Sequence, residues 1–282
     1  MNKYLAYIFF SMILVVSACS HSTEGNVNDN DNESASSTLL ETSSEQRETT
    51  NTEVEVEGEE DAQKDETEQQ TPLYELNEVY SVVPIDDANP KVVLLTFDDA
   101  PDKRALDIAK TLKQLDAPAI FFVNGHFLQS DEKKKVLQEI HDMGFMIGNH
   151  TKTHANLKTL SEDEQREEIV SVNDDVEAIT GERPVFFRAP FGANTDFSRS
   201  LVEQEGMLLM NWSYGYDFEK EYMSKEKIAD IMVNTELLRD GANLLMHDRD
   251  WTADALEDII TGLRNKGYDF VDPRTIRGVG EE

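Results

Sequence analysis

The sequence has few basic residues and a single cysteine, and each shortage excludes a class of protein. Lysine and arginine number 26 against 57 aspartates and glutamates, which gives a formal net charge of −31 at pH 7. So acidic a chain is repelled by phosphate backbones, and nucleic acid is therefore excluded as a partner. Because Cys19 is the one cysteine, no disulfide can form within one copy of the chain.

Long hydrophobic runs are also lacking, and the one apolar run near the N-terminus is typical of an export signal. Lys3 precedes LAYIFFSMILVV (5–16), which is too short for an ordinary transmembrane helix. The run ends in VSAC (16–19), which resembles the lipobox of bacterial lipoproteins. We expect a signal peptide over 1–18 and lipidation of Cys19, which would anchor the protein to the outer face of the cell membrane. An ordinary signal peptide with an accidental cysteine is the alternative.

Residues 19–88 are predicted to be a disordered acidic tether. Residues 21–70 carry 16 acidic residues against 2 basic ones. Such a segment cannot bury enough apolar surface to fold, and its like charges extend it. About 70 flexible residues reach roughly 45 Å, so the domain can act at a distance from a membrane. The remaining residues, 89–282, are predicted to form one folded domain, expected to be a monomer.

Short apolar runs alternate with amphipathic stretches in this folded part. The predicted strands are 91–97, 119–124, 145–149, 185–188, 208–213, 243–247 and 269–271. Helical patterns lie between them, such as 103–115 and 253–267, and a capping box at 161–164 with Gly181 beyond it predicts the start and end of another helix. This alternation predicts an α/β fold with a parallel sheet, either closed into a barrel or open and doubly wound.

Ionisable residues stand at the carboxyl ends of the predicted strands. In chain order they are Asp98, Asp99, His150, His154, Arg188, Asp217 and His247. In parallel α/β barrels these strand ends share one face, where the loops build active sites. The sequence therefore predicts that these side chains meet.

The pattern HTKTH (150–154) indicates a metal site when it is combined with a carboxylate. We expect the two histidines, four residues apart on a helical turn, to project from one side. With Asp99 they would make a site of two histidines and one carboxylate with open positions for water and substrate. Successive residues of an extended chain point to opposite sides, so Asp98 would stay free as a base while the cation offsets its repulsion with Asp99.

Four motifs resemble, in order and spacing, those of the polysaccharide deacetylases, which are carbohydrate esterase family 4 with the NodB homology domain. They are TFDD (96–99), HTKTH (150–154), RAPF (188–191) and LMH (245–247), and the resemblance covers about residues 90–273. It implies a distorted (β/α) barrel of about seven parallel strands. It also implies removal of N-acetyl, or sometimes O-acetyl, groups from a polysaccharide with a divalent metal, commonly Zn²⁺, with Co²⁺, Ni²⁺ or Mn²⁺ as alternatives.

The resemblance also implies a role for each matching position. Asp98 would be the general base, held in place by Arg188, and His247 would be the general acid, with Asp217 as its partner. Asp99, His150 and His154 would be the metal ligands. Leu245 would line the pocket for the acetyl group, and the Phe191 N–H would donate a hydrogen bond to the oxyanion. The sequence departs from the family pattern at two places. The glycine that usually follows the paired aspartates is Ala100, and a further motif, usually Asp-x-x-Asp-Trp and here YGYDF (214–218), has Tyr214 in place of its first aspartate and Phe218 in place of its tryptophan. Trp212 could be core or groove wall, and His126 matches no motif.

Several functions stay open at this point. The leading hypothesis is a deacetylase of N-acetylglucosamine or N-acetylmuramic acid in peptidoglycan, since a membrane-tethered enzyme meets that polymer first. The alternatives are a deacetylase of chitooligosaccharide or O-acetylated xylan, a non-catalytic glycan-binding lipoprotein, and a non-haem iron oxygenase. A base and an acid placed around the metal ligands argue for hydrolysis over oxygenation.

Overall fold

The computed structural model describes residues 71–280. The predicted signal peptide, Cys19 and most of the predicted tether lie outside the described residues. Within residues 71–280, no helix combines the length and the apolar character needed to span a membrane.

These residues form nine strands and six α-helices. The strands are β1 (Tyr74–Leu76), β2 (Val82–Pro84), β3 (Val92–Ala100), β4 (Ile120–Val123), β5 (Met146–Asn149), β6 (Phe186–Phe187), β7 (Leu208–Leu209), β8 (Ala242–His247) and β9 (Asp269–Phe270). The helices are α1 (Ala105–Gln114), α2 (Asp131–Asp142), α3 (Glu162–Thr180), α4 (Asp196–Gln204), α5 (Lys225–Asn234) and α6 (Asp250–Asn265).

Strands β3 to β9 form one parallel sheet that curls into a distorted barrel. The main order is β7-β6-β5-β4-β3-β8, and β9 pairs with the first residues of β3. Beyond β7 the chain reaches the other edge of the sheet, where Ser213 N–H donates to Asn243 O at 2.7 Å and Leu245 N–H donates to Tyr214 O at 2.8 Å. These contacts join the two edges, so the predicted barrel, and not the open sheet, is the fold.

The predicted strands and helix ends agree closely with the structure. Each of the seven predicted apolar runs overlaps a strand of this sheet, although β3 continues to Ala100, three residues beyond its run, and β7 is shorter than 208–213. Helix α3 begins with the predicted capping box, in which Ser161 and Glu164 bond each other's backbone N–H groups. It ends at Gly181, whose φ of 85° is left-handed and suits glycine. The capping residues predict the ends of α3 well because each capping hydrogen bond joins residues that are close together in the sequence.

The boundary of the folded part differs from the prediction. Strands β1 and β2 form an antiparallel hairpin inside 19–88, the range predicted as tether. Tyr74 and Val82 of this hairpin are buried, and they belong to the same apolar cluster as Val92 and Leu94 of β3. The folded unit therefore begins before residue 89, because the hairpin covers apolar surface that the barrel alone would expose.

Strand β3 is buried on both faces, with helices against one face and other strands against the second. Val93, Leu95 and Phe97 pack in the cluster that contains the buried residues of α1 and α6. Val92 and Leu94 pack in the second cluster, with residues of β4 and β6. The first cluster continues to Ala100, so apolar packing reaches the carboxyl end of β3.

Candidate active site

Asp98 and Asp99 stand together at the end of β3. The register between β3 and β4 shifts between Phe97 and Ala100, and Asp99 has a left-handed φ of 62°. This irregularity turns both carboxylates toward the same imidazole: Asp98 Oδ2 lies 3.5 Å and Asp99 Oδ1 lies 4.0 Å from His150 Nε2. Asp99 Oδ1 also lies 3.6 Å from His154 Nε2. The prediction that the two side chains point to opposite sides was wrong, because it assumed a regular strand.

The two histidines lie on a loop that follows β5. The expected helical turn over 150–154 was wrong: Thr151 and His154 have left-handed φ values of 67° and 60°, and no helix forms there. The loop nevertheless brings the two imidazole rings to a centroid distance of 5.0 Å. One ligand atom from each of His150, His154 and Asp99 lies within 4.8 Å of the others.

The protonation of His150 suits a metal ligand. Its Nδ1 lies 2.7 Å from the carbonyl oxygen of Arg188, which can only accept, so Nδ1 carries the proton and Nε2 a free lone pair. Burial lowers the pKa of His150 and outweighs the opposing charge of Asp98, so the ring is neutral. The Nε2 lone pair then faces carboxylate oxygens at 3.5 to 4.0 Å with no proton between them. Together with His154 and Asp99, this nitrogen belongs to a set of two imidazoles and one carboxylate, which fits a divalent cation.

Each of the two aspartates has its own arginine. Arg188, fully buried, donates from Nη1 to Asp98 Oδ1 at 2.7 Å and to Thr96 Oγ1 at 2.8 Å. Arg249 donates from Nη2 to Asp99 Oδ2 at 2.6 Å. Arg249 belongs to no sequence motif, and its one signal is that a cation follows the strand-end His247 by two residues. The adjacent carboxylates are thus neutralised by the protein itself.

His247 is held by Asp217, which is completely buried. Asp217 Oδ1 accepts from His247 Nδ1 at 2.7 Å, and Oδ2 accepts from the His247 backbone N–H at 2.6 Å and from Thr252 Oγ1 at 2.7 Å. Burial lowers the pKa of His247, but the hydrogen bond to Asp217 and its negative charge outweigh burial, and the pKa is raised. A raised pKa keeps more of this imidazole protonated near neutral pH, as a proton donor requires.

An open cavity of about 350 Å³ connects these groups. Its lining consists of Asp98, Asp99, His150, His154, Phe191, Trp212, Phe218, Leu245, His247 and Arg249. Trp212, which the sequence left between core and groove wall, therefore contributes to the wall. The ring of Phe191, 67% exposed, meets His154 edge-on at 4.9 Å, and the ring of Phe218 meets His247 edge-on at 5.7 Å. The apolar wall lies beside polar groups on both sides of the cavity.

His126 is separate from this group of residues. Its Nδ1 lies 3.1 Å from Lys152 O, and its ring packs on Phe127 at 4.0 Å between centroids. It is not among the residues that line the cavity. The structure therefore brings together the three predicted ligands, Asp98, Arg188 and the His247–Asp217 pair, and leaves His126 outside.

Comparisons with known proteins agree with this geometry. The family model described as polysaccharide deacetylase matches residues 86–210. The chain is 31% identical over 207 residues to the peptidoglycan-N-acetylmuramic acid deacetylase PdaA of Bacillus subtilis, a match that covers 70% of this chain and 76% of PdaA. The fold is similar to the crystal structure of a peptidoglycan N-acetylglucosamine deacetylase, with a TM-score of 0.59 and 29% identity over 65% of this chain and 86% of that one.

A third similar structure is that of a Bacillus anthracis protein described as a family 4 carbohydrate esterase pseudoenzyme. It has a TM-score of 0.59 and 30% identity, over 64% of this chain and 63% of that one. Similarity in this group thus extends to a protein that is described as a pseudoenzyme, and activity has to be argued from the residues of each site. The barrel, the matched family model and the identity to PdaA show that this chain belongs to the polysaccharide deacetylase family.

Proposed function

We propose that the protein hydrolyses N-acetyl groups of peptidoglycan, on N-acetylglucosamine or N-acetylmuramic acid, with the help of a divalent metal ion. The observation that carries this proposal is the convergence of Asp98, His247 and the three candidate ligands on one cavity. Deacetylation needs a base, an acid and an electrophilic stabiliser, and the cavity offers a candidate for each. The names of the similar enzymes support the choice of peptidoglycan.

Asp99, His150 and His154 would hold the metal, for which Zn²⁺ is our first choice and Co²⁺, Ni²⁺ or Mn²⁺ are alternatives. When bound, the ion supplies Lewis acidity, which polarises an amide carbonyl and makes water more acidic. The fit rests on the donor set, since two imidazoles and one carboxylate each place a ligand atom within 4.8 Å of the others. Measured affinities for the four ions would identify the preferred one.

Asp98 would accept a proton from the attacking water. Its Oδ1 accepts from Arg188, whereas Oδ2 lies 3.5 Å from Nε2 of the candidate ligand His150, where the water would react. Arg188 keeps the carboxylate in this orientation. The Phe191 N–H would donate to the developing oxyanion, on a turn where Phe191 has a left-handed φ of 59°.

His247 would donate a proton to the departing amine. The amine of a sugar cannot leave as an anion, so the C–N bond breaks as nitrogen takes this proton, and acetate and the free amino sugar are the products. Asp217 fixes the ring so that Nδ1 faces the carboxylate and Nε2 is left for the substrate. Leu245, Trp212 and Phe218 would form the apolar wall beside the acetyl methyl group and the sugar.

We further propose that the protein acts outside the cytoplasm, tethered by a lipid on Cys19. Support comes from the pattern of residues 1–19 and from a substrate that lies outside the membrane. Metabolic labelling of cells with a radioactive fatty acid, beside a Cys19→Ala variant, tests this part. Label on the wild type and none on the variant is expected, and label on both would contradict it.

Release of acetate tests the enzymatic part of the proposal. The purified protein is incubated with peptidoglycan, chitooligosaccharides and acetylxylan, with and without chelator, beside an Asp98→Asn variant. We expect chelator-sensitive release from peptidoglycan that the variant has lost. Release from chitooligosaccharide or xylan alone would change the assigned substrate, and equal release by the two proteins would remove Asp98 from the mechanism. Binding to peptidoglycan without any release would support a glycan-binding protein.

A further inference from the structure

The loop that carries His150 and His154 has a conformation that needs external support. Two of its five residues, Thr151 and His154, have left-handed φ values, which residues with a side chain adopt only when their surroundings impose them. No α-helix or β-strand covers 150–154. The direction of the two imidazoles therefore depends on what holds this loop.

Glu168 of α3 holds the middle of the loop. Its Oε2 accepts from the Thr153 backbone N–H at 2.8 Å, and its Oε1 accepts from Thr153 Oγ1 at 2.6 Å. The backbone carbonyl of Glu168 accepts from the Lys152 N–H at 2.9 Å. The residue is 7% exposed, so these are bonds of a buried carboxylate with little competition from water. They act on the residue directly before His154.

Asn124 holds the loop from the opposite side. Its completely buried side chain donates from Nδ2 to the carbonyl oxygens of His150 and Thr151. The Gly125 N–H adds a bond to Thr151 O at 3.2 Å. The beginning of the loop is thus fixed from the end of β4. The His126 N–H donates to Lys152 O at 2.7 Å in the middle of the loop, and Glu168 bonds Thr153, the residue that leads into His154.

We propose that Glu168 is a positioning residue for the metal site, acting through Thr153 on His154. This inference rests on the metal site of the proposed function. A carboxylate that fixes both the N–H and the hydroxyl of Thr153 sets the backbone torsions of the next residue, and with them the direction of the His154 ring. Neither the motifs of the sequence nor the cavity lining includes Glu168.

Zinc affinity, measured by competition with a chromophoric chelator on the purified full chain, tests the inference without relying on activity. Glu168→Ala is expected to weaken zinc binding by roughly 10–100-fold, the usual effect of losing a partner that orients a ligand. Glu168→Gln keeps wild-type affinity, because its oxygen accepts from the Thr153 N–H and its amide donates to Oγ1. The matched control is Glu167→Ala: Glu167 is the adjacent residue, largely exposed, and contacts the same loop only through Lys152 Nζ at 2.6 Å.

Thr153→Ala is the second variant, for use if Glu168→Ala does not fold. It removes the hydroxyl bond and leaves the N–H bond, so we expect a smaller loss of zinc affinity in the same direction. Unchanged affinity in folded Glu168→Ala or in Thr153→Ala, with only a lower unfolding midpoint, would overturn the inference and leave the proposed function standing. If the wild type binds no zinc, cobalt, nickel or manganese, the proposed function fails together with it.

Discussion

Arg249 donates a hydrogen bond of 2.6 Å from Nη2 to Oδ2 of Asp99, across a sequence separation of 150 residues. The neighbouring Asp98 has a different partner, Arg188, at 2.7 Å. Two adjacent carboxylates repel each other, and here each has a cation of its own within the protein. Loss of either arginine would therefore leave one carboxylate without its counter-ion.

Replacing Arg188 with methionine should lower the free energy of unfolding by about 3–5 kcal/mol, because Asp98 is then left buried without its counter-ion. Urea unfolding of the metal-free protein measures this loss. The double variant Arg188→Met/Asp98→Asn should recover much of it, because the uncompensated charge is gone. A single Arg188→Met variant as stable as the wild type would contradict the pairing.

Replacing Asp217 with asparagine should move the alkaline limb of the kcat/KM pH profile to lower pH. Asp217 raises the pKa of His247, and a general acid is active only below its pKa, so losing the carboxylate narrows the active range from the alkaline side. The same raised pKa makes the protonated ring contribute stability that is fully present below the unfolded-state value of 6.5 and is lost as pH rises through the folded-state value. The free energy of unfolding, measured from neutral to alkaline pH, should therefore decline less steeply with pH in the variant than in the wild type. Superimposable profiles for the two proteins would exclude this role of Asp217.

Replacing Asp99 with asparagine should remove most of the affinity for divalent metal. An amide is a weaker ligand than a carboxylate, and the two histidines alone leave the site incomplete. Equilibrium dialysis against zinc gives the stoichiometry. His141→Gln is the control, since His141 lies on α2, pairs with Glu182 at 3.2 Å and does not line the cavity. Equal loss of zinc from the two variants would indicate a different ligand set.

Removing residues 1–70 should leave the unfolding midpoint of the domain unchanged, whereas removing residues 1–88 should lower it by several degrees. The second truncation deletes Tyr74 and Val82 and exposes apolar side chains of β3, of which each buried one contributes about 1.5–3 kcal/mol. It also deletes the 2.8 Å bond from the Val82 N–H to Gly241 O. Calorimetry of the two truncated proteins compares them, and equal midpoints would show that the hairpin contributes nothing.

Sequence reasoning worked where a structure depends on local patterns or on a shared sheet edge. The seven parallel strands and the ends of α3 follow from hydrophobic periodicity and capping residues. The convergence of Asp98, His150 and His247 follows from one rule, that carboxyl ends of parallel strands meet on one face. These features needed no knowledge of distant contacts.

What could not be predicted depends on irregular backbone and long-range pairs. The left-handed φ of Asp99 and the register shift beside it decide where its carboxylate points, and a pattern of residue types does not reveal them. The hairpin of β1 and β2 has two three-residue strands among polar neighbours, too short for periodicity to detect. Arg249 meets Asp99 only because β8 pairs alongside β3.

The two arginine–aspartate pairs also bear on how the protein would behave without its ion. The negative charges of Asp98 and Asp99 at the end of β3 are compensated by Arg188 and Arg249 even when no metal ion is bound. Removal of the metal ion should therefore leave the side chains at this end of the barrel in place. An emptied protein would then be ready to reload, and exchange of one metal for another would proceed without refolding.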